Sequence, residues 1–364
     1  MNKVRKYFTD EELKKLSINK PTAAQLELTR NCNQKCIFCF RGCSNRKKFP
    51  DLKTKEWLEI FNKLWELGID TVNFSGGEVL LLKEIEVLVR EAKKRKFKVI
   101  LNTNGTIKFN TDILRYIDEI VFSIHGIGDL HDRLTGISGS FKLVEENLSK
   151  ISKVKERGTL NISTVLVKSN FFEIKNIYDY FSEKYGDQIN SYAFSFSVPC
   201  FYGRKFKGES LLLDKKKIQY YINTLQRIPL QKRKYKQGLA GLLEENANYS
   251  EGVVTLPVCA GGKYKLVIDY KGDVYPCRYF MSKEYFCGNI LKEDALRIWK
   301  EGKGFFIFRN SFLNDILPKE CTCCYKKEKC FGGCKAFTPS YLKRGLCNPY
   351  EKDYRCYFPR VIYS

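Results

Sequence analysis

Short runs rich in β-branched and aromatic residues recur along the first part of the chain, at 24–29, 71–75, 98–103, 120–124, 160–167 and 192–198. Between them, apolar residues fall at helical spacing, as in Trp57, Ile60, Phe61, Leu64, Trp65 and Leu67, or Phe141, Val144, Leu148, Ile151 and Val154. Strands alternating with helices predict six βα units and a parallel sheet, open or curled into a barrel. In such folds the working residues sit on loops after the C-terminal ends of strands.

The pattern changes at residue 204. Residues 204–236 hold eleven Lys or Arg against Glu209 and Asp214, and include an amphipathic piece around Ile218, Tyr221 and Leu225. This stretch reads as a basic helical bridge. Beyond it, short strands over 265–269 and 274–275 flank a Lys-Gly-Asp turn, and a helix is expected from Asp294 to about Lys300. The expected division is an N-terminal extension (1–21), an α/β unit (22–203), the bridge (204–250) and a small cysteine-rich domain (251–364). A chain of 364 residues exceeds one compact core, which agrees with that division.

Composition narrows the chemistry. Hydrophobic residues make up 43 %, enough for a buried core. The longest aliphatic run, Val79 to Leu82, is far short of the roughly 20 residues a membrane helix needs. The N-terminus shows no apolar signal segment, so a cytoplasmic location and no membrane partner are expected. Fifteen cysteines in a reducing compartment read as metal ligands or reactive thiols rather than disulfides. Only two histidines, His125 and His131, are present, which disfavours His-rich zinc sites and most His-based acid–base catalysis. The net charge of +23 points to an acidic partner.

Cys32, Cys36 and Cys39 follow the first predicted strand, with Phe38 before the third cysteine. Three thiolates so spaced can bind three corners of a 4Fe–4S cube and leave one iron open, whereas clusters that only carry electrons normally have four cysteines. A zinc site completed by Cys43, or unligated cysteines in a loop, are the alternatives.

With the next motifs, the chain resembles a radical S-adenosylmethionine (SAM) enzyme. The family pattern C-x3-C-x2-C, with an aromatic before the last cysteine, lies in the expected loop. Ser75-Gly76-Gly77-Glu78 after the second strand matches the family's Gly-Gly-Glu, although Val79 replaces the usual proline. Asn102-Thr103-Asn104-Gly105 and Ser123-Ile124-His125-Gly126 follow strands three and four, as SAM-pocket segments do. The resemblance covers roughly 22–200 and implies a partial (βα)6 barrel. It implies that Cys32, Cys36 and Cys39 hold a SAM-binding 4Fe–4S cluster. It implies that Phe38, Gly76, Gly77, Glu78, Asn102 and Ser123 bind SAM, the glycines admitting its methionine part and the Glu78 carboxylate helping to receive its amine. One electron would then break the S–C5′ bond, and the 5′-deoxyadenosyl radical would take hydrogen from a substrate, the protein orienting the groups and excluding water. A reductant such as flavodoxin or ferredoxin is implied as well. His125 and His131 read as packed or loop-ordering residues, and Arg133 as a surface salt bridge.

The C-terminal cysteines resemble the SPASM extension found in a subset of these enzymes: Cys259, then Gly272 and Cys277, then Cys321-x2-Cys324-x5-Cys330-x3-Cys334 and a terminal cysteine, with Gly288-Asn289-Ile290 and Trp299. A pair of zinc knuckles is the alternative. The resemblance implies one or two auxiliary iron–sulfur clusters, the first on Cys259, Cys277 and Cys334, the second on Cys321, Cys324, Cys330 and Cys356. Cys347 competes for the terminal place, and Cys323 beside Cys324 leaves the register open. The first set lacks the family's extra cysteine, so an open iron, a smaller core or Cys287 as fourth ligand is expected. Relatives that mature sulfatases carry aspartate after the cysteine corresponding to Cys277, and here Arg278 stands there, which argues against that activity. Cys200, at the end of strand six, is the candidate catalytic thiol, able to return a hydrogen atom or form a thioether, or else simply a buried apolar residue.

The implied function is radical modification of a peptide or protein. Only about 22 residues precede strand one, so leader recognition would need another protein or another surface. Nucleic acid, a carbohydrate or small molecule, and a non-catalytic electron-transfer role are the other readings.

Overall fold

In this computed structural model, residues 20–43, 50–196 and 259–311 are described throughout, with most of 317–356 and short pieces between 213 and 255. Six strands, β1 (Ala23–Thr29), β2 (Thr71–Gly76), β3 (Lys98–Thr103), β4 (Glu119–Ser123), β5 (Thr159–Leu166) and β6 (Ile189–Phe196), pair in parallel and in sequence order. Helices Thr54–Leu67, Ile85–Lys94, Ser140–Ser152 and Ile174–Tyr185 alternate with them. This is the expected α/β order, with strand ends within about three residues of the sequence reading.

Alternation along each strand sorts two faces. Ala24, Leu26, Leu28, Val72, Phe74, Val99, Leu101, Ile120 and Phe122 are buried in one apolar core with Trp57, Phe61, Leu88 and Leu148 of the helices. Gln25, Glu27, Asn73, Asn102, Asn161 and Ser191 point the other way and give the inner face a polar lining. Trp65 is off the buried stripe of its helix, at 59 % exposure, because that stripe runs through Trp57, Ile60, Phe61 and Leu64.

The sheet does not stop at the domain edge expected from sequence. It continues past β6 through β7 (Tyr235–Gln237) and β8 (Val254–Thr255), so part of the basic stretch is strand rather than helix. Of the amphipathic piece there, Ile218 is helical and fully buried, while Tyr221 and Leu225 lie outside the described residues. At the other edge β9 (Lys265–Ile268) joins β1 in parallel, Ala23 opposite Lys265 and Leu26 opposite Ile268. Then β10 (Asp273–Tyr275) and β11 (Gly288–Asn289) follow antiparallel. Asp269 Oδ1 accepts the N–H groups of Lys271 (2.9 Å) and Asp273 (3.1 Å), which closes the Lys-Gly-Asp turn. The helix Ala295–Glu301 starts where its Asp294 cap accepts the Arg297 N–H at 2.7 Å.

Because β1 and β9 are parallel, Cys32 follows the C-terminal end of the sheet and Cys259 precedes its N-terminal end. The seven residues of β1 separate those ends by about 20 Å. Among the described residues, no helix is long and apolar enough to cross a membrane.

Candidate active site

The thiol loop after β1 is held by backbone. Lys35 and Ile37 donate to Thr135 O (2.8 Å) and Leu134 O (3.0 Å), and tight turns place Cys39 N on Cys36 O and Gly42 N on Cys39 O, each at 3.2 Å. Cys32 is buried, its sulfur accepting the Gln34 N–H at 3.4 Å and facing the Asn104 amide at 3.9 Å. Burial pushes its thiol up to about 12, and the charges of Glu78 and Cys39 push the same way. Thiolates there repel one another and call for a cation between them. Cys43 is also buried, its thiol against Cys39.

The Gly-Gly-Glu loop is stitched to this one. Gly77 N donates to Thr29 O at 2.7 Å and Glu78 N to Asn31 O at 2.9 Å. A Cβ on Gly77 would lie 2.0 Å from Asn31 O, and one on Gly76, at φ +138°, 2.5 Å from Thr29 O. The chain's own close approach therefore accounts for both glycines. The Glu78 carboxylate is fully buried: Oε1 accepts Thr103 Oγ1 (2.8 Å) and the Leu80 N–H (3.1 Å), Oε2 the Asn104 N–H (2.7 Å). Burial raises it to about 7 in spite of these donors. It ties the loops after β2 and β3 together and leaves no oxygen exposed to receive an amine.

Asn102 is tied to β2 through Phe74 O (3.1 Å) and Asn73 Oδ1. Asn104, not Asn102, reaches the Cys32 thiol and also donates to Asn33 Oδ1 at 2.8 Å. Strand alternation picks out Asn102 and gives no signal for Asn104, which lies past the strand's end. Ser123 sits on β4 in register with Ser163 of β5. Phe38 is buried with Leu134 and Val167, edge-on to His125 at 4.6 Å between ring centroids. His125 Nδ1 accepts the Val165 N–H (3.1 Å), and the His125 backbone N–H donates to His131 Nδ1 (3.2 Å), so both histidines organise loops. Asp132 caps the following turn through Gly139 N and Phe141 N. Arg133 is exposed with no ion pair among the described residues, unlike the surface salt bridge expected.

The C-terminal thiols fall into two groups. Cys259 is raised by burial and by the charges of Cys334 and Cys277. Cys321 is pushed up to about 11 by burial, with Lys352 opposing and Cys356, Cys330 and Cys324 adding to it. Burial raises Cys330 too, and Cys356 and Cys324 are among its charged neighbours. Asp353 ties the two groups together: its N–H donates to Gly332 O (2.9 Å), its Oδ2 accepts the Cys334 N–H of the first group (3.0 Å), and its carbonyl accepts the Cys356 N–H of the second (3.0 Å). Cys323 is exposed, whereas Cys321 beside it in the same turn is buried. Cys287 is buried against Gly304 and Tyr285, with Arg309 rather than another thiol as its charged neighbour. Cys200 and Cys347 lie outside the described residues.

Between Cys32 and Cys259, the inner face carries a run of charges. Glu27 is fully buried; its Oε1 accepts Gln25 Nε2 at 2.6 Å, and its Oε2 lies 3.8 Å from Arg41 Nη1 without a hydrogen bond. Arg278 donates to Tyr279 Oη at 3.1 Å and feels Glu27. Lys265 is pushed down to about 8 by burial and by Arg278, with Cys277, Glu27 and Cys259 opposing. Nothing in the local pattern announced this run.

The radical SAM superfamily profile matches residues 26–181, and an iron–sulfur cluster-binding SPASM profile matches 259–325. This chain is a radical SAM enzyme with a C-terminal SPASM domain. Its fold is similar to that of SuiB of Streptococcus suis, solved with S-adenosylmethionine (TM-score 0.72) and with precursor peptide SuiA (0.74). Both matches are 20 % identical and cover 96 % of this chain, and 80 % and 79 % of that one. It is also similar to anSMEcpe with bound AdoMet, at 20 % identity and TM-score 0.68, covering 91 % of this chain and 94 % of that one. The strand order is that of the partial radical SAM barrel. A radical SAM enzyme uses a 4Fe–4S cluster and SAM, and the SPASM domain adds auxiliary iron–sulfur binding. The donors here fit: each group consists of thiols alone. Zinc would need four thiolates about 3.8 Å apart around one ion, and among the described residues no three metal-binding side chains are close enough for a single ion. An iron–sulfur cube holds each cysteine on a separate iron and spreads them wider.

Proposed function

We propose that this radical SAM enzyme modifies a peptide or protein by hydrogen abstraction, with Cys32, Cys36 and Cys39 holding the SAM-binding cluster. The observation that carries this reading is the stitching of Gly77 and Glu78 to Thr29 and Asn31, which fixes the SAM loop against the thiol loop. When bound, the cluster and SAM supply the radical chemistry. The chain's part is positional. Phe38 seals the thiol loop against Leu134 and Val167, and Glu78 locks two loop ends so that the backbone beside Cys32 is preformed. Asn104 fixes Cys32, while Asn102 and Ser123 line the inner face. Cys43, packed under Cys39, is a neighbour rather than a ligand, leaving one iron for SAM. Cys259, Cys277 and Cys334 hold one auxiliary cluster, and Cys321, Cys324, Cys330 and Cys356 the other.

A peptide substrate is supported by SuiB with its precursor peptide SuiA and by anSMEcpe with the Cp18Cys peptide, both with this fold. Arg278 after Cys277 sets this chain apart from sulfatase maturation. The test is anaerobic reconstitution with iron, sulfide, reductant and SAM. 5′-Deoxyadenosine should form, and its release should rise when peptides encoded beside the gene are added. No deoxyadenosine under strong reduction overturns the radical assignment, and no stimulation by any such peptide overturns the substrate class.

A further inference from the structure

Hydrophobicity is inverted within the thiol loop. Ile37 is exposed at 37 %, while Gln34, between Cys32 and Cys36, is only 3 % exposed. A buried polar side chain calls for a partner. Gln34 meets sulfur at two places: its backbone N–H donates to Cys32 Sγ at 3.4 Å, and its side-chain Oε1 accepts the Cys36 thiol at 3.5 Å. Its Nε2 is buried with no hydrogen-bond partner among the described residues. Two N–H groups are therefore idle beside a ligand sulfur, and no other acceptor competes for them.

We propose that the Gln34 carboxamide donates an N–H to Cys36 Sγ when that sulfur is an iron ligand, and that this bond sets how readily the SAM-binding cluster is reduced. This rests on the assignment of Cys32, Cys36 and Cys39 to that cluster. A Cys36 thiolate has no proton to give Oε1 and can only accept. A half turn of the carboxamide exchanges Oε1 and the NH2 group in nearly the same space, so the donor reaches the sulfur without movement of the loop. An N–H on an anionic sulfur is a charge-assisted bond. It strengthens as an electron adds negative charge to the cluster, so it favours the reduced form and raises the potential. The Asn104 amide already faces Cys32 Sγ at 3.9 Å, and Gln34 extends the same kind of contact to a second ligand.

The test is a redox titration of the full chain, reconstituted anaerobically, following the electron paramagnetic resonance signal that changes when SAM is added. That signal belongs to the cluster with the open iron. Gln34→Met keeps the length and removes the donor; its potential should fall by about 59 mV, a tenfold change in the one-electron equilibrium. Gln34→Glu keeps the shape, sets a carboxylate against the sulfur, and should lower the potential too. A role confined to packing would leave both variants at the wild-type potential. An unchanged or raised potential in Gln34→Met overturns the proposal while leaving the cluster assignment intact. If Gln34→Met loses its N-terminal iron, the potential of Gln34→Glu decides. Loss of that iron from both variants would make the amide a requirement for building the loop and overturn its part in the potential. A wild type with no SAM-sensitive signal overturns the cluster assignment itself.

Discussion

Glu78 Oε2 accepts the Asn104 N–H at 2.7 Å, and the same Asn104 faces the Cys32 sulfur through its amide. One buried carboxylate therefore positions the residue that packs on the first thiol. Glu78→Gln turns an NH2 group onto a fixed donor and leaves it unsatisfied, at a cost of about 1–3 kcal/mol. SAM affinity, measured by equilibrium dialysis, should fall about tenfold or more while N-terminal iron is retained; undiminished affinity would contradict this role.

Gly77→Ala should be more severe. Its Cβ would meet backbone at 2.0 Å, and Asn31 O cannot rotate away as a flexible side chain could. The expected result is loss of SAM binding and a lowered melting temperature, whereas Gly128→Ala, with open space around its Cβ, should pay only the strain of its positive φ.

The cysteines separate by iron count. Alanine at Cys32, Cys36 and Cys39 together should remove about four irons and all deoxyadenosine formation. Cys356→Ala should deplete C-terminal iron, and Cys323→Ala and Cys287→Ala should not. Full iron in Cys356→Ala would hand the terminal place to Cys347.

Buried His131 gives the pH prediction. Burial lowers it from 6.5 to about 4, so the unfolded chain binds the proton first. Its contribution is fully present above pH 6.5 and is lost as pH falls towards 4, by about 3 kcal/mol. Glu78, raised from 4.5 to about 7, runs the other way, its contribution lost as pH rises through that window. The stability difference between wild type and His131→Asn, followed by denaturant titration, isolates the histidine. A difference flat between pH 6.5 and 4 would refute it.

Local pattern made much of this molecule legible. Leu26 and Phe74 alternate with polar neighbours, and Leu101 and Phe122 lie in β-branched runs between helical segments, so six strands and their loops could be read directly, and with them Cys32, Gly77 and Glu78. The cysteine spacing announced the C-terminal domain. What escaped depends on residues far apart in the chain: the pairing of Ala23 with Lys265, Asn104 on Cys32, and Glu27 facing Arg41. Glu78 itself was legible as a motif residue but not as a buried clamp, because burial is set by packing.

The β1–β9 pairing also sets an order of assembly. One edge of β1 pairs with Lys265–Ile268, which is made more than two hundred residues after it. Until then that edge offers unpaired N–H and C=O groups to any passing strand. So distant a closure makes folding slow. Among the described residues that edge is covered by the segment lying between Cys259 and Cys277, so pairing of β1 also brings the first two C-terminal thiols to the sheet.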